Sequence, residues 1–290
     1  MHDLIALFEQ TPHYLYAVVT ILGLLIGSFL NVVIYRLPVM MMREWQAECA
    51  DSFPDANIKV EQDRFNLLLP RSRCPSCNHL IGSSENIPVI SWLFQKGRCK
   101  HCACKISIRY PGIELLTAVL SLVVAYLVPF GWPLLFALLF TWVLISLTFI
   151  DFDTMLLPDQ LTLPLLWLGL LINLSGTFTD LQSAVLGATF GYLTLWSIYW
   201  VFKLVTGKEG MGYGDFKLLA ALGAWFGWQA LPLIILLSSF AGAIIGIAIV
   251  LTSADKQSRP MPFGPYLAVA GWIFLVYGDG LSKIYYSLVL

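Results

Sequence analysis

Apolar residues along this chain come in long runs separated by short polar connections, a pattern that predicts membrane-crossing helices. A first run at residues 14–34 is long enough to cross the roughly 30 Å hydrocarbon layer of a bilayer. A polar stretch from 36 to 111 follows, and beyond it come runs at 113–128, 134–150, 161–174, 181–205, 216–228, 231–251 and 266–277. With the first, these make eight expected spans. Those beginning at 161, 216 and 266 are short, so their ends are not fixed by the pattern and two of them are candidates for tilted or partly re-entrant segments. Pro129 and Pro133 bracket one tight connection and Ser175-Gly176-Thr177 marks another. Gly23, Gly27, Ser28 and Asn31 concentrate small and polar residues in the second half of the first span, which predicts close helix packing and interhelical hydrogen bonds. A role for Asn31 in holding a substrate at the membrane edge is the alternative.

Composition agrees: 58% of the residues are hydrophobic and 12% charged, against about 45–50% and about 25% in soluble domains. The chain is therefore expected to be an integral membrane protein whose surroundings are a lipid bilayer, and its bulk charge gives no case for nucleic-acid binding. Asp3 and Glu9 precede the first run without any Lys or Arg, so that run is expected to stay as an anchor. If the first polar stretch faces the cytoplasm, Arg36 to Arg109, Lys203, Lys208, Lys217, Lys256 and Arg259 all lie inside, and of the 17 Lys and Arg residues Lys283 alone lies outside. Both termini then lie outside the cytoplasm.

The polar stretch is too small to rely on an apolar core and carries all six cysteines. Cys74-Pro75-Ser76-Cys77 and Cys99-Lys100-His101-Cys102 are two C-x-x-C knuckles separated by 21 residues. Each presents two thiolates at the bite of a tetrahedral ion, and four thiolates leave no open coordination position, so a structural Zn2+ held by Cys74, Cys77, Cys99 and Cys102 is expected. Two disulfides are the competing reading, disfavoured by strain and by a reducing compartment. His79, His101 and Cys104 are alternative donors; with the symmetric four as ligands, Cys49 and Cys104 remain free thiols.

Candidate chemistry centres on two carboxylates. A glycine-rich loop with Gly207, Gly210, Gly212 and Gly214 delivers Asp215 to the edge of an apolar segment, and Asp151 ends the run at 134–150. Ionisable groups at membrane depth are costly and read as functional by default. Tracing the spans in alternating directions puts both on the cytoplasmic side. Two carboxylates sharing a small site hold one proton between them, the arrangement that hydrolyses amides through an activated water. Helix ends predict Asp215, with Lys217 close by, as the base and Asp151 as the acid. A plain turn capped by Asp215 is the structural alternative, and Asp153 and Asp159 compete with Asp151 as partner. A transporter binding a cation or proton at Asp151 and Asp215 is the rival class; its sites lie near the midplane between repeated halves, and no repeat-related halves are visible along the chain.

Asp151-Phe152-Asp153 leading to Leu157-Pro158-Asp159, together with Gly212-Tyr213-Gly214-Asp215-Phe216-Lys217, both cysteine knuckles and Gly27-Ser28-Phe29-Leu30-Asn31, resembles the bacterial type IV prepilin peptidases over essentially the whole chain. The resemblance implies an aspartic endopeptidase, with Asp151 and Asp215 as the catalytic pair, that removes the leader of type IV prepilins and type II secretion pseudopilins on the cytoplasmic face of the inner membrane. It also implies N-methylation of the new N-terminal residue with S-adenosylmethionine. No strand followed by G-x-G-x-x-G marks a methyl-donor site, so this second activity rests on the resemblance alone. Members lacking the cysteine loop are thought to be peptidases only, which implicates the polar module, with Gly97 a candidate within it. The expected architecture is an all-α polytopic membrane protein: a first span at 1–35, a cytoplasmic tetracysteine zinc module at 36–112 and a seven-helix membrane protease domain at 113–290.

Overall fold

A computed structural model describes residues 8, 11–56, 59–61, 63–252 and 261–289. The expectations resting on Asp3, Glu9, Lys256 and Arg259 lie outside the described residues. Each of the eight apolar runs falls on a helix, and among the described residues extended pairing is confined to two isolated bridges. The chain divides into two compact units, at 1–130 and 131–290.

In the first unit, α1 (Pro12–Ser52) starts with Pro12 at its first turn and runs without a break through Pro38. It continues well past residue 35, where the first span was expected to end. The residues that follow, Met40 to Ala50, are rich in Met, Arg, Glu, Gln and Ala, which keep a helix going in water as readily as in lipid. Next come α2 (Ile90–Phe94) and α3 (Arg109–Leu127). A Cβ on Gly23 would meet the Ala118 backbone at 2.8 Å and one on Gly27 the Glu114 backbone at 2.7 Å, so α1 lies directly on α3 through these glycines. Asn31 donates to the Gly27 and Tyr110 carbonyls at 3.1 and 3.2 Å, the packing role expected of it.

The second unit holds α4 (Trp132–Thr154), α5 (Asp159–Ile172), α6 (Leu181–Thr206), α7 (Tyr213–Phe226), α8 (Leu231–Thr252) and α9 (Gly264–Val289). At its centre is α7, where Phe216, Leu218, Leu219, Ala221, Leu222, Ala224 and Trp225 have no exposed surface. Such a helix is apolar all round because protein covers every face. Lipid supplies no hydrophobic drive between helices, so close packing holds them. Gly187 of α6 and Gly223 of α7 let the two backbones touch, and Gly169 of α5 accepts the Trp225 ring. Trp225 Nε1 donates to the Leu165 carbonyl at 2.8 Å, and buried Asn173 caps the end of α7 by donating to the Ala224 and Trp225 carbonyls at 2.9 and 3.0 Å.

Among the described residues, five helical segments are long and apolar enough to span a membrane: Pro12–Ser52, Arg109–Leu127, Trp132–Thr154, Leu181–Thr206 and Trp228–Thr252. α5 and α7 have 14 residues each, about 21 Å of helix, and α9 has a shorter apolar part at Gly264–Gly278.

Candidate active site and metal centre

Asp151 stands near the C-terminal end of α4, where Met155 closes the helix in the left-handed conformation and donates its amide to the Asp151 carbonyl at 2.9 Å. Asp215 is the third residue of α7, behind the N-cap Gly212. Both are buried, at 4% and 6% exposure, and the charge of Asp151 acts directly on Asp215. One side chain ties their surroundings together. Leu157 lies against Gly214, where a Cβ would meet its Cβ at 2.6 Å, and against Gly264, where a Cβ would meet its Cδ1 at 3.0 Å. Gly264 in turn faces Asp151, since its Cβ would stand 2.5 Å from Oδ2.

The Gly212 amide, at the N-cap of α7, faces the Asp215 carboxyl. Asp151 has the same kind of neighbour, the Gly264 amide at the start of α9. Each carboxyl therefore faces the N-terminus of a helix, where amides lack intrahelical partners. One oxygen of each is left over. Asp151 Oδ2 and Asp215 Oδ1 are the buried side-chain polar atoms without a hydrogen-bond partner among the described residues. Orphaned buried oxygens are rare and call for an explanation, of which a catalytic role is one.

The competing aspartates are placed differently. Asp153 is exposed, two residues further along α4. Asp159 opens α5 and is held by Lys217, whose Nζ donates to Oδ1 and Oδ2 at 2.6 and 2.8 Å. Lys217 thus serves Asp159, and its charge is not spent beside Asp215 as expected. Gly264 went unnoticed in the sequence, and Leu157 stands out there only as part of Leu157-Pro158-Asp159. Glu114, a buried acid in the apolar part of α3 whose Oε2 accepts the Val89 amide at 2.7 Å, also went unnoticed. The rule that flagged Asp151, an acid at membrane depth, applies equally to Glu114.

In the first unit the sulfurs converge. Cys74 Sγ lies 3.7 Å from Cys102 and 3.4 Å from Cys104, and Cys77 Sγ lies 4.0 Å from Cys99. A zinc ion with Zn–S near 2.3 Å spaces tetrahedral sulfurs about 3.8 Å apart, so the donor set fits that ion. All six cysteines are free thiols. Cys104, the alternative donor, lies within this group: Cys74, Cys99, Cys102 and Cys104 have their sulfurs within 4.8 Å of one another. Backbone donors separate the candidates. Cys74 Sγ accepts amides of Cys77 and Ser76, and Cys99 Sγ those of Cys102 and His101. Cys77 and Cys102 accept the amides of His79 and Cys104 respectively. The amides of Cys77 and Ser76 hold the Cys74 thiol down to about 6. Cys104 has the Ser76 hydroxyl for a neighbour, and its crowded thiol is pushed up to about 11 against that bond by Cys102 and Cys74. Gly97, a candidate for the second activity, sits at φ 65° beneath Trp92, where a Cβ would meet the ring at 2.8 Å. Its place is explained by conformation and packing.

Residues 21–128 match the family model of the bacterial peptidase A24 N-terminal domain, and residues 138–247 that of the type IV leader peptidase family. The chain is 60% identical over 288 residues to the prepilin leader peptidase/N-methyltransferase of Aeromonas salmonicida, covering 99% of each chain. It is 54% identical over 265 residues to the protein of that name from Pseudomonas aeruginosa, covering 91% of each. With the one from Dichelobacter nodosus it shares 52% identity over 285 residues, 97% of this chain and 98% of the relative. No solved structure matches.

Proposed function

The chain belongs to the bacterial type IV leader peptidase family, and we propose that Asp151 and Asp215 are the pair with which it cuts. Its activity is that of a prepilin leader peptidase and N-methyltransferase, and its substrates are prepilins. The observation that carries the assignment is the pair of orphaned buried oxygens, Asp151 Oδ2 and Asp215 Oδ1, on carboxyls close enough for one charge to act on the other.

The pair shares one proton, so the roles of base and acid belong to both together. The ionised carboxylate takes a proton from water as its oxygen attacks the scissile carbonyl carbon, and the protonated carboxyl gives its proton to the carbonyl oxygen. Collapse of the tetrahedral intermediate breaks the C–N bond. The proton taken from water passes to the leaving nitrogen, and the proton on the intermediate's hydroxyl returns to the second carboxyl, restoring the starting state. Gly264 and Gly212 supply amides at the two carboxyls, and Leu157 packs against both Gly214 and Gly264 beside them.

The protein is a multi-pass membrane protein of its family. We place it in the bacterial inner membrane with eight crossings, α5, α7 and the apolar part of α9 being the short ones, and with the site on the cytoplasmic face, a placement that the distribution of Lys and Arg supports. The working division is a first span at 1–35, a metal module at 36–112 and a protease domain at 113–290. Pseudopilins of type II secretion belong to the proposed substrates. Cys74, Cys77, Cys99 and Cys102 are the proposed ligands of one zinc ion, supported by the thiolate–amide bonds common to both knuckles. When bound, the ion fixes the module's fold. The proposed methyl donor is S-adenosylmethionine, for which no residue is assigned.

Purified protein incubated with a prepilin and labelled methyl donor tests this reading. A shortened, methylated product is expected; an unshortened prepilin would refute it.

A further inference from the structure

The two knuckles repeat each other beyond their cysteines. Shifting Cys74 onto Cys99, an offset of 99 − 74 = 25, also maps Cys77 onto Cys102. Arg73 bridges to Leu80 and Arg98 to Lys105. Cys74 and Cys99 donate their amides to the carbonyls of His79 and Cys104, both at 2.9 Å, and Asn78 and Ala103 share φ values of 56° and 57°. The same offset maps Ser76 onto His101 and His79 onto Cys104. One side of the metal module therefore carries Ser76 beside Cys104, and its counterpart carries His101 against His79.

That histidine pair is not a packing pair in an apolar setting. Its ring centroids are 3.4 Å apart at 32°, and His79 Nε2 lies 3.5 Å from Glu85 Oε2. One ligand atom from each of His79, His101 and Glu85 falls within 4.8 Å of the other two. Glu85 is fixed by the Gly82 amide, which donates to Oε2 at 3.3 Å, and its side chain is 16% exposed. The Gly82 amide, with the Lys100 ammonium nearby, holds the carboxyl below the usual range.

We propose that His79, His101 and Glu85 form a second divalent-cation site, separate from the tetracysteine centre and suited to Zn2+. A tetrahedral zinc with Zn–N and Zn–O near 2.0–2.2 Å spaces its donors about 3.4 Å apart, the separation that His79 Nε2 and Glu85 Oε2 already have. Two imidazoles and one carboxylate are the donor set of open zinc sites, in which the fourth position takes water or a solute. Among the described residues Lys100 Nζ, 3.9 Å from Glu85 Oε1, competes for the carboxylate, and at 70% exposure it can turn to solvent when the metal enters.

The test counts metal in the full-length protein after dialysis against Zn2+, for the unmodified chain, Glu85→Gln and His101→Ala. In parallel, Co2+ substitution reports the tetracysteine centre alone through its thiolate-to-cobalt charge-transfer band. Two zinc ions per chain are expected, falling to one in both variants while the cobalt–thiolate band keeps its intensity. A single zinc in the unmodified protein overturns the proposal, as do two in the variants. Should His101→Ala, which lies inside a knuckle, also weaken the thiolate band, the Glu85→Gln count decides, because Glu85 lies outside both knuckles.

Discussion

Replacing Gly264 by alanine puts a methyl group where the structure leaves only a hydrogen. The new Cβ would stand 2.5 Å from Asp151 Oδ2 and 3.0 and 3.1 Å from the two Leu157 methyls. Carbon and oxygen approach comfortably to about 3.3 Å, so the carboxyl has to retreat by about 0.8 Å or α9 has to shift by as much. Misplacing a reacting group by about 1 Å costs on the order of 100-fold in rate. A 10- to 100-fold fall in kcat is therefore expected, about 1.4–2.7 kcal/mol of lost transition-state stabilisation. Overpacking of this kind costs about 1–3 kcal/mol of stability as well, so thermal unfolding in detergent has to be read beside cleavage of a prepilin. Gly242→Ala is the control, since its Cβ comes no closer than 3.5 Å to the Tyr266 ring, and it should cleave within twofold of the unmodified protein. A folded Gly264→Ala protein that cleaves within the same twofold would refute the claim that this glycine sets the position of Asp151.

Three further outcomes follow from the packing and the metal module. Cys74→Ser should lose the tetracysteine zinc and impair methyl transfer more than cleavage, whereas Cys104→Ser should keep that zinc; metal analysis showing equal loss in both would move Cys104 into the ligand set. A double-mutant cycle on Lys217→Met and Asp159→Asn should give a coupling of about 0.2–1 kcal/mol in unfolding, because the pair is partly exposed, with cleavage reduced far less than by changes at Asp151 or Asp215. Gly223→Ala should destabilise the second unit strongly, since its methyl would collide with the Gly187 backbone, and a normal unfolding temperature would contradict the α6–α7 contact described here.

The helices were legible because the apolar runs are long and their breaks carry Pro, Gly and charge. Hydropathy reports where lipid or protein covers a helix, not where the helix ends, which is why α1 continues to Ser52 beyond its apolar part. For the same reason α7 reads as a short span although its central residues are covered by protein. Asp151 and Asp215 stood out because charge is scarce at membrane depth, and the same scarcity marks Glu114. Gly264 could not be found that way: it lies far along the chain from Asp151, and only the folded approach of α9 gives it meaning. The thiolate–amide bonds of the knuckles were implicit in the C-x-x-C spacing. The convergence of Cys104 on Cys74 depends on how the two knuckles face each other, which spacing does not specify.

The account turns on two carboxyl oxygens, and the most direct measurement is single-turnover cleavage of a prepilin leader by Asp151→Asn and Asp215→Asn proteins in detergent. Both variants should insert, fold and bind zinc as the unmodified chain does, and neither should release leader peptide above the uncatalysed background. Near-normal cleavage by either variant would contradict the assignment of Asp151 and Asp215 as the pair that cuts.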